Sequence, residues 1–222
     1  LIIPPHCADE GLSLGAVEYL RIKNNISEFD LKDFPYSQND TPTELVSDET
    51  IAKAAQALSE NKVVAWYQNN GEVGPRALGN RSILINASAK DAKEKINKIK
   101  NREQYRPFGA TVLEEYKDDI FSNLGYNPYM LYVGNTKDKE KYSSITHVDG
   151  TCRVQTISKK DNKSFYKLLK LLYNKTNVPV VLNTSLNIAG NPIAGDPQDA
   201  YKLYETSEID VLVIGNQYYE KM

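Results

Sequence analysis

The sequence predicts an α/β fold in which a mixed β-sheet is flanked by helices. Short apolar runs alternate along the chain with segments whose apolar residues recur at helical spacing, and this interleaving is typical of α/β proteins. The chain is 41% hydrophobic and 25% charged, the composition of an ordinary globular domain. Its 222 residues suffice for one large domain or two small ones.

The N-terminal fifth of the chain has few regular elements. Residues 1–5 are expected to form a short apolar strand, and residues 12–20 a small helix. From about residue 24 to residue 46 the composition shifts to Ser, Asn, Asp, Pro and Thr without period, which is typical of a surface connector. We therefore expect a domain boundary in this segment.

Four helices are predicted after the boundary, because apolar stripes follow residues that favour helix N-termini. They begin at Ser47, at Ser88 with Asp91 three residues later, near Phe165, and at Asp196-Pro197.

Seven strands are predicted between these helices, from runs of apolar and β-branched residues. They cover residues 62–67, 81–85, 108–113, 129–133, 152–157, 179–182 and 209–214. The pair Asp149-Gly150 indicates a two-residue hairpin ahead of the strand at 152–157. One hairpin among interleaved helices and strands favours a mixed sheet.

Charge and composition exclude several classes of protein. Lys and Arg number 27 against 29 Asp and Glu, a net charge of −2, so we expect no nucleic-acid partner. No apolar run approaches the roughly 20 residues of a membrane span, and no signal peptide is recognisable. We expect a reduced, cytoplasmic protein without membrane contact. Because the chain opens LIIPP without Met, we expect it to be a piece of a longer protein.

The densest chemical signal is a glycine-rich segment at residues 71–81, GEVGPRALGNR. Glycines permit close approach of a ligand to the backbone, and the guanidinium groups of Arg76 and Arg81 suit phosphate or carboxylate. The segment matches no general nucleotide-binding motif. A long turn whose arginines form surface ion pairs explains it equally well, and the residues alone leave both interpretations open.

A second signal is a run of cations around Lys100 and Arg102. Lys95 and Lys98 fit a solvated helix face. Residues two apart share a side only where the backbone is extended, so Lys100 and Arg102 converge if the helix ends near Asn101. Arg106 and Arg153 are further candidate cations.

A third signal is the polar stretch at residues 183–187, NTSLN, directly after a buried strand. Ligands of α/β proteins commonly lie off the carboxyl ends of strands, and Ser185 and Asn187 could both face one. Simple turn chemistry explains the same residues. Ser185 as a nucleophile is weaker, because no Gly-x-Ser-x-Gly elbow surrounds it. His147 is more typical of a hydrogen-bonded turn residue than of a metal ligand.

Four blocks of this sequence resemble the C-terminal part of the O-carbamoyltransferases of nodulation-factor and antibiotic biosynthesis, and they occur in the family's order. They are GPRALGNRS at 74–82, RPF at 106–108 ahead of VLE at 112–114, THVDGT at 146–151 with RVQ at 153–155, and LNTSLN at 182–187.

The resemblance implies a YrdC-like fold, a twisted mixed sheet with flanking helices, preceded by a fragment of a Kae1-like transfer domain. The implied domains are the Kae1-like fragment at 1–24, a linker at 25–46 and the YrdC-like domain at 47–222. The implied reaction converts carbamoyl phosphate and ATP, with Mg²⁺, into carbamoyl adenylate. The Kae1-like domain, with a divalent metal or iron, would then pass the carbamoyl group to a small-molecule hydroxyl.

The resemblance also assigns roles to individual residues. It implies Lys100, Arg106, Arg153 and Ser185 as catalytic residues. It implies binding of the nucleotide and carbamoyl group by the set Arg76, Arg81, Arg102, His147, Asn183 and Asn187. In the segment from Pro5 to Gly15, Asp9 matches a metal ligand of the Kae1-like domain, although the His pair that completes that site does not occur in this sequence.

The sequence departs from the family before the first block, where the family usually has Gln-Gly-Arg-Met-Glu and this chain has QNNGE at 68–72. One expected arginine is therefore absent. Two other functions remain open, a threonylcarbamoyl-adenylate synthase for tRNA modification and a non-catalytic nucleotide-binding module.

Overall fold

The computed structural model describes residues 4–7, 9–28, 34–36 and 43–221. Before the predicted boundary, a 3-10 turn at Asp9–Gly11 leads into helix α1, Leu12–Lys23. This helix confirms the predicted one and extends it by three residues. The strand predicted at 1–5 lies mostly outside the described residues, and Pro4 and Pro5 are not in a strand.

The strands of the described residues form one mixed sheet of nine, in the order β4-β5-β6-β3-β7-β2-β1-β8-β9. The pairs β1–β8 and β3–β6 are parallel and the others are antiparallel. The strands are β1 Val64–Tyr67, β2 Arg81–Asn86, β3 Gly109–Leu113, β4 Phe121–Ser122, β5 Val133–Thr136, β6 Thr151–Ile157, β7 Val180–Ser185, β8 Val211–Ile214 and β9 Gln217–Glu220.

Helices cover both faces of this sheet. After α1 they are α2 Asp48–Ser59, α3 Ala92–Ile99, α4 Lys117–Ile120, α5 Lys163–Thr176 and α6 Pro197–Thr206. On β1, Val64 and Trp66 pack in the core layer of α2 and α5, whereas Ala65 and Tyr67 pack in the layer of α3 and α6. The alternation follows from the two-residue period of a strand.

Two of the predicted helix starts are confirmed by their N-cap hydrogen bonds. The Ser47 side chain accepts from the Thr50 amide of α2, and Asp196 accepts from Asp199 ahead of Pro197 in α6. Each side chain satisfies an amide that has no partner within the helix.

The start predicted for α3 is wrong. The helix begins at Ala92, and its N-cap Asp91 makes no side-chain cap bond. Ser88 instead donates its hydroxyl to Asn86 Oδ1, at 2.9 Å. A short side chain that bonds to a nearby turn competes with helix capping in this way.

The strand predicted at residues 129–133 is also wrong, because β5 begins at Val133. Asn127 folds the preceding segment into a turn, accepting from the Leu131 amide at 3.1 Å and donating to the Tyr132 carbonyl at 3.2 Å. Met130 lies in this turn at a φ of 55°. A single asparagine side chain therefore overrides the β propensity of the segment.

No two-residue hairpin forms at Asp149-Gly150. Strand β6 does pair with β5, but the whole of residues 137–150 connects them. Asp149 and Gly150 lie in a local turn at the end of this connection, closed by the Gly150 amide on the His147 carbonyl at 2.9 Å. The short elements α4, β4 and β9 were not predicted.

Candidate active site

One end of the sheet gathers the segments that carry the candidate residues. Register places the last residues of β1 and β7 beside the first residues of β2, β3 and β6 at this end. The glycine-rich loop joins β1 to β2 there. The segments that meet at this end contribute Arg76, Arg81, Arg102, Arg106, Arg153, His147, Asn183, Ser185 and Asn187 together with Lys100. The segments that contain the predicted site residues therefore lie at the same end of the sheet.

Lys100 lies at this end of the sheet, and the residue is 4% exposed. Its Nζ donates to the Ser185 carbonyl at 2.7 Å and the Ser185 hydroxyl at 3.2 Å. It also donates to the Asn187 carbonyl at 2.9 Å and to Asn187 Oδ1 at 2.8 Å. Ser185 in turn donates its hydroxyl to Asn187 Oδ1, at 2.7 Å. Lys100 and the pair Ser185 and Asn187 therefore form one hydrogen-bonded cluster, and Arg102 lies outside it.

The end of α3 places Lys100 in this cluster. The helix ends at Ile99, Lys100 is its C-cap, and Asn101 has a φ of 50°, in the left-handed region that commonly ends helices. The Lys100 carbonyl accepts from the Ala189 amide at 2.9 Å, which joins this turn to the loop after β7. The condition set by the sequence, a helix end near Asn101, is met.

The surroundings of Lys100 are polar but uncharged, apart from a second cation. Burial, and to a lesser degree the charge of Arg102, lower the pKa of Lys100 to about 7. Within the described part of the chain, no carboxylate forms an ion pair with it. The four oxygen acceptors favour the ammonium form, because it offers three N–H donors and the neutral amine offers two.

Arg102 and Arg106 follow on the extended segment that leads to β3. The Arg102 guanidinium lies 4.2 Å from the centre of the Phe108 ring, and its Nε donates to Asn97 Oδ1 at 2.7 Å. Arg106 is half-exposed and pairs with Glu103 at 2.9 Å. Arg102 is therefore fixed in place, whereas Arg106 forms a surface ion pair, which is weak and easily exchanged.

Arg153 and His147 lie beside the start of β3. A Cβ placed on Gly109 would lie 3.2 Å from the Arg153 carbonyl, so the two strands approach closely there. His147 Nδ1 lies 3.1 Å from Thr151 Oγ1. Burial is the main cause that lowers the pKa of His147, opposed by a hydrogen bond with the Phe108 backbone and by the charge of Asp149, so the imidazole is mainly neutral at pH 7.

The glycine-rich loop is organised by Glu72, a residue that sequence reasoning missed. Glu72 Oε1 accepts from the amides of Leu78 at 2.7 Å, Asn80 at 2.8 Å and Arg81 at 3.3 Å. Burial raises the pKa of this carboxyl group, although these amides and Arg81 favour its charged form. The one signal in the sequence was an acidic residue inside an otherwise cationic loop.

Arg81 lies inside the protein rather than on the ligand side of the loop. It is 1% exposed, its guanidinium lies 3.5 Å from the centre of the Tyr67 ring, and it donates to the carbonyls of Gln68 and Asn69 at 2.7 and 2.8 Å. These bonds hold the end of β1. Arg76 lies half-buried in the middle of the loop.

Asn183 belongs to a buried polar row across the sheet. Its Nδ2 donates to the Ala77 carbonyl at 3.0 Å and to Thr111 Oγ1 at 2.9 Å. Gln155, also missed, accepts from Thr111 Oγ1 at 2.8 Å and donates to the Leu78 carbonyl at 3.0 Å. The signal that could have revealed Gln155 is its position two residues after Arg153, on the same strand face.

Asp9 lies in the exposed 3-10 turn ahead of α1. Among the described residues, no group of three or more His, Cys, Asp or Glu side chains could hold a metal ion. Its role as a metal ligand stays a prediction. In the part of the chain that the structure describes, no helix is both long and apolar enough to span a bilayer.

A family model described as the carbamoyltransferase C-terminus matches residues 55–221. The chain belongs to this family. The matched range lies within residues 47–222, where the YrdC-like domain is predicted, while the division at 24 and 46 stays a prediction.

Two relatives of this carbamoyltransferase chain carry functional names. Nodulation protein NolNO of Sinorhizobium fredii is 37% identical over 180 residues, covering 78% of this chain and 26% of that protein. The 3'-hydroxymethylcephem-O-carbamoyltransferase of Streptomyces clavuligerus is 34% identical over 171 residues, covering 77% of this chain and 33% of that protein. These names confirm the resemblance to the nodulation and antibiotic enzymes. The chain spans a quarter to a half of the length of the curated relatives it matches.

The fold has a solved counterpart in Sua5 of P. abyssi, crystallised with L-threonine. The two chains superpose with a TM-score of 0.56 at 16% identity, over 78% of this chain and 49% of the other. This likeness confirms the predicted YrdC-like fold of the carbamoyltransferase chain.

Proposed function

We propose that this chain binds ATP and carbamoyl phosphate at the end of the sheet where Lys100 lies, and that it forms carbamoyl adenylate there. The observation that carries the proposal is the Lys100 ammonium, buried at 4% exposure and held by Ser185 and Asn187. An unneutralised buried cation is costly, so an anionic ligand that neutralises it gains binding free energy. Membership of the carbamoyltransferase family supports carbamoyl phosphate and ATP as the anions.

The proposed reaction has two steps. Water and carbamoyl phosphate give carbamate and inorganic phosphate. A carbamate oxygen then attacks the α-phosphorus of ATP, a new P–O bond forms, and the bond to the β-phosphate breaks to release pyrophosphate. The products are carbamoyl adenylate, pyrophosphate and phosphate. Because two anions must approach each other, most of the catalysis consists of positioning and charge neutralisation.

The described side chains divide this work. Lys100 and Arg102 are proposed to hold the phosphates at the end of α3, and Arg106 and Arg153 to neutralise charge on the carbamoyl side. Arg106 would exchange its ion pair with Glu103 for the ligand. Ser185 and Asn187 orient Lys100, and neutral His147 offers a hydrogen bond without adding charge.

Arg76, Arg81 and Asn183 are proposed to act in the glycine-rich loop or next to it. Arg76 would bind phosphate from the glycine-rich loop, while Arg81 and Asn183 support that loop through backbone carbonyls. Mg²⁺ is proposed to arrive bound to the triphosphate, because the described residues offer no cluster of acidic or histidine ligands. No step is assigned to a protein-bound metal ion.

Transfer of the carbamoyl group to a small-molecule hydroxyl is proposed to require protein beyond this chain. The Streptomyces clavuligerus relative is named for carbamoylation of a hydroxymethyl group, and this chain covers 33% of it. We propose the same class of acceptor here, reached through a Kae1-like domain.

Pyrophosphate release tests the function. The chain is mixed with ATP and Mg²⁺, with or without carbamoyl phosphate, and with threonine plus bicarbonate in a separate arm. Release that depends on carbamoyl phosphate supports the proposal. Release that depends on threonine and bicarbonate would indicate a threonylcarbamoyl-adenylate synthase instead, and ATP binding without any release would leave a binding module.

Two substitutions test the arginines that are proposed to neutralise charge on the carbamoyl side, Arg106 and Arg153. Arg106→Ala or Arg153→Ala is expected to weaken ligand binding by about 1.5–3 kcal/mol, or about 10- to 150-fold. Lys98→Ala is the matched control, because Lys98 is exposed and pairs with Glu208 on the surface. Equal affinity of an arginine variant and the control would remove that arginine from the site.

A further inference from the structure

The backbone that follows Arg76 in the glycine-rich loop is held from two directions by buried side chains. Glu72, Asn183 and Gln155 bind backbone amides and carbonyls of residues 77–81, and we refer to these three side chains as the loop clamp. Glu72 is 5% exposed, Asn183 2% and Gln155 0%. Such complete burial is unusual for polar side chains.

From the loop side, Glu72 acts as a common acceptor. One carboxylate oxygen receives the amides of Leu78, Asn80 and Arg81. Three converging N–H donors fix the curvature of the backbone, which a turn with glycine at a φ of 105° at Gly79 would not hold alone.

From the sheet side, Asn183 and Gln155 act as donors. Asn183 on β7 binds the Ala77 carbonyl and Gln155 on β6 binds the Leu78 carbonyl, at 3.0 Å each. Thr111 on β3, the strand between them, accepts from Asn183 and donates to Gln155. The side-chain amides of Asn183 and Gln155 must both point their NH2 groups at the loop, because a backbone carbonyl oxygen can only accept a hydrogen bond.

We infer that Glu72 and Gln155 are positioning residues that preset where the loop presents Arg76 to the phosphates. This inference rests on the proposed function. A loop ordered before the ligand arrives loses less conformational entropy on binding, and the hydrogen bonds of Glu72 and Gln155 to the loop backbone supply such order. Gln155 and Glu72 both bind Leu78, two residues after Arg76, so the loss of either side chain displaces the backbone next to that arginine.

A double-mutant cycle on ATP affinity tests the inference, using Gln155→Met, Arg76→Ala and the double variant, measured by calorimetry with Mg·ATP. Gln155→Met is expected to weaken ATP binding about 3- to 10-fold. If Gln155 acts through Arg76, the double variant binds no more weakly than Arg76→Ala alone. Additive losses, or an unchanged affinity of Gln155→Met, would overturn the inference.

Ser144→Ala is the matched control, because Ser144 is buried and donates one hydrogen bond to the Ala87 carbonyl, away from the loop. It is expected to lower the unfolding midpoint without changing ATP affinity. Glu72→Gln serves as a second variant if Gln155→Met fails to fold, and the same non-additivity with Arg76→Ala is expected. Additive losses in that cycle would also overturn the inference.

The two proposals fail in distinguishable ways. A wild-type chain that binds ATP but releases no pyrophosphate contradicts the proposed function, while the cycle on ATP affinity still decides the role of the clamp. A wild-type chain that binds no ATP would overturn both. In kinetics, a positioning role raises the KM for ATP more than it lowers kcat, which a general loss of folded protein would not do.

Discussion

Lys100 is the residue at which burial and charge oppose each other most directly. Burial lowers its pKa to about 7, while the oxygens of Ser185 and Asn187 favour the protonated form. Its unfolded pKa is near the ordinary 10.5. The unfolded chain therefore binds the extra proton between about pH 7 and 10.5, and this residue makes the free energy of unfolding rise with pH across that window.

An anion bound at Lys100 is expected to raise its pKa and to take up a proton. Because the pKa of Lys100 in the free protein is about 7, binding of Mg·ATP above this pH should take up part of a proton and should weaken as the pH rises. Calorimetry in two buffers of different ionisation enthalpy measures the uptake.

Lys100→Arg is the control for this uptake, because arginine stays charged and the titration of the nucleotide is the same in both proteins. Equal proton uptake by the wild type and Lys100→Arg would show that Lys100 does not titrate on binding.

Residue spacing predicted part of the site and missed the rest for a physical reason. The spacing rule for extended backbone singled out Lys100, Ser185 and Asn187, which do lie together, although neither segment is extended: Asn101 has a φ of 50°, and the Asn187 amide donates to the Ser185 carbonyl at 2.9 Å. Glu72 and Gln155 were missed, because their partners in the glycine-rich loop are backbone groups, and such contacts leave no trace in residue type. Arg81 looked like a ligand residue, and only its burial shows the bonds to Gln68 and Asn69 carbonyls.

At the scale of elements, the glycine-rich loop depends on its contact with α5. Gly79 has a φ of 105°, and a Cβ there would lie 2.1 Å from Phe165 Cδ1. Phe165 is fully buried in the layer of α2 and α5, so it cannot move aside.

Gly79→Ala is expected to lower the free energy of unfolding by about 2–4 kcal/mol, through strain and overpacking together. The loss is measured by urea unfolding, and ATP affinity should fall with it because the loop shifts. Gly125→Ala is the matched control, since nothing lies within 4 Å of the Cβ position of this exposed glycine. A Gly79→Ala protein as stable as Gly125→Ala would show that the loop and α5 are not closely packed in solution.

Element types were more predictable than their ends. The caps at Ser47 and Asp196 are local and were predicted correctly. The strand at residues 129–133 failed because Asn127 reaches across to the Val154 carbonyl at 2.6 Å, as well as to its own turn. Such a contact between distant segments overrides β propensity, which depends on context.

At the scale of the whole molecule, a chain of net charge −2 gathers most of its candidate cations at one end of the sheet. Ligands that bind the folded state alone stabilise it by mass action, by about 2.7 kcal/mol at one hundred times the Kd. For a protein of this size we therefore expect ATP plus carbamoyl phosphate to raise the Tm by about 5–10 °C.

Differential scanning calorimetry measures this shift, with sulfate at equal ionic strength as the control for non-specific anion binding. Arg153→Ala should show a smaller shift than the wild type. An equal shift with sulfate would indicate a general anion site rather than a nucleotide site.

The strand order has a consequence for how the protein is made. Strand β1 lies between β2, its near neighbour in sequence, and β8, which comes from the far end of the described chain. During synthesis on the ribosome, the edge of β1 therefore stays open until residues 211–214 emerge. An open strand edge invites pairing with other nascent chains, so the emergence of β8 is the step that protects β1 from such pairing.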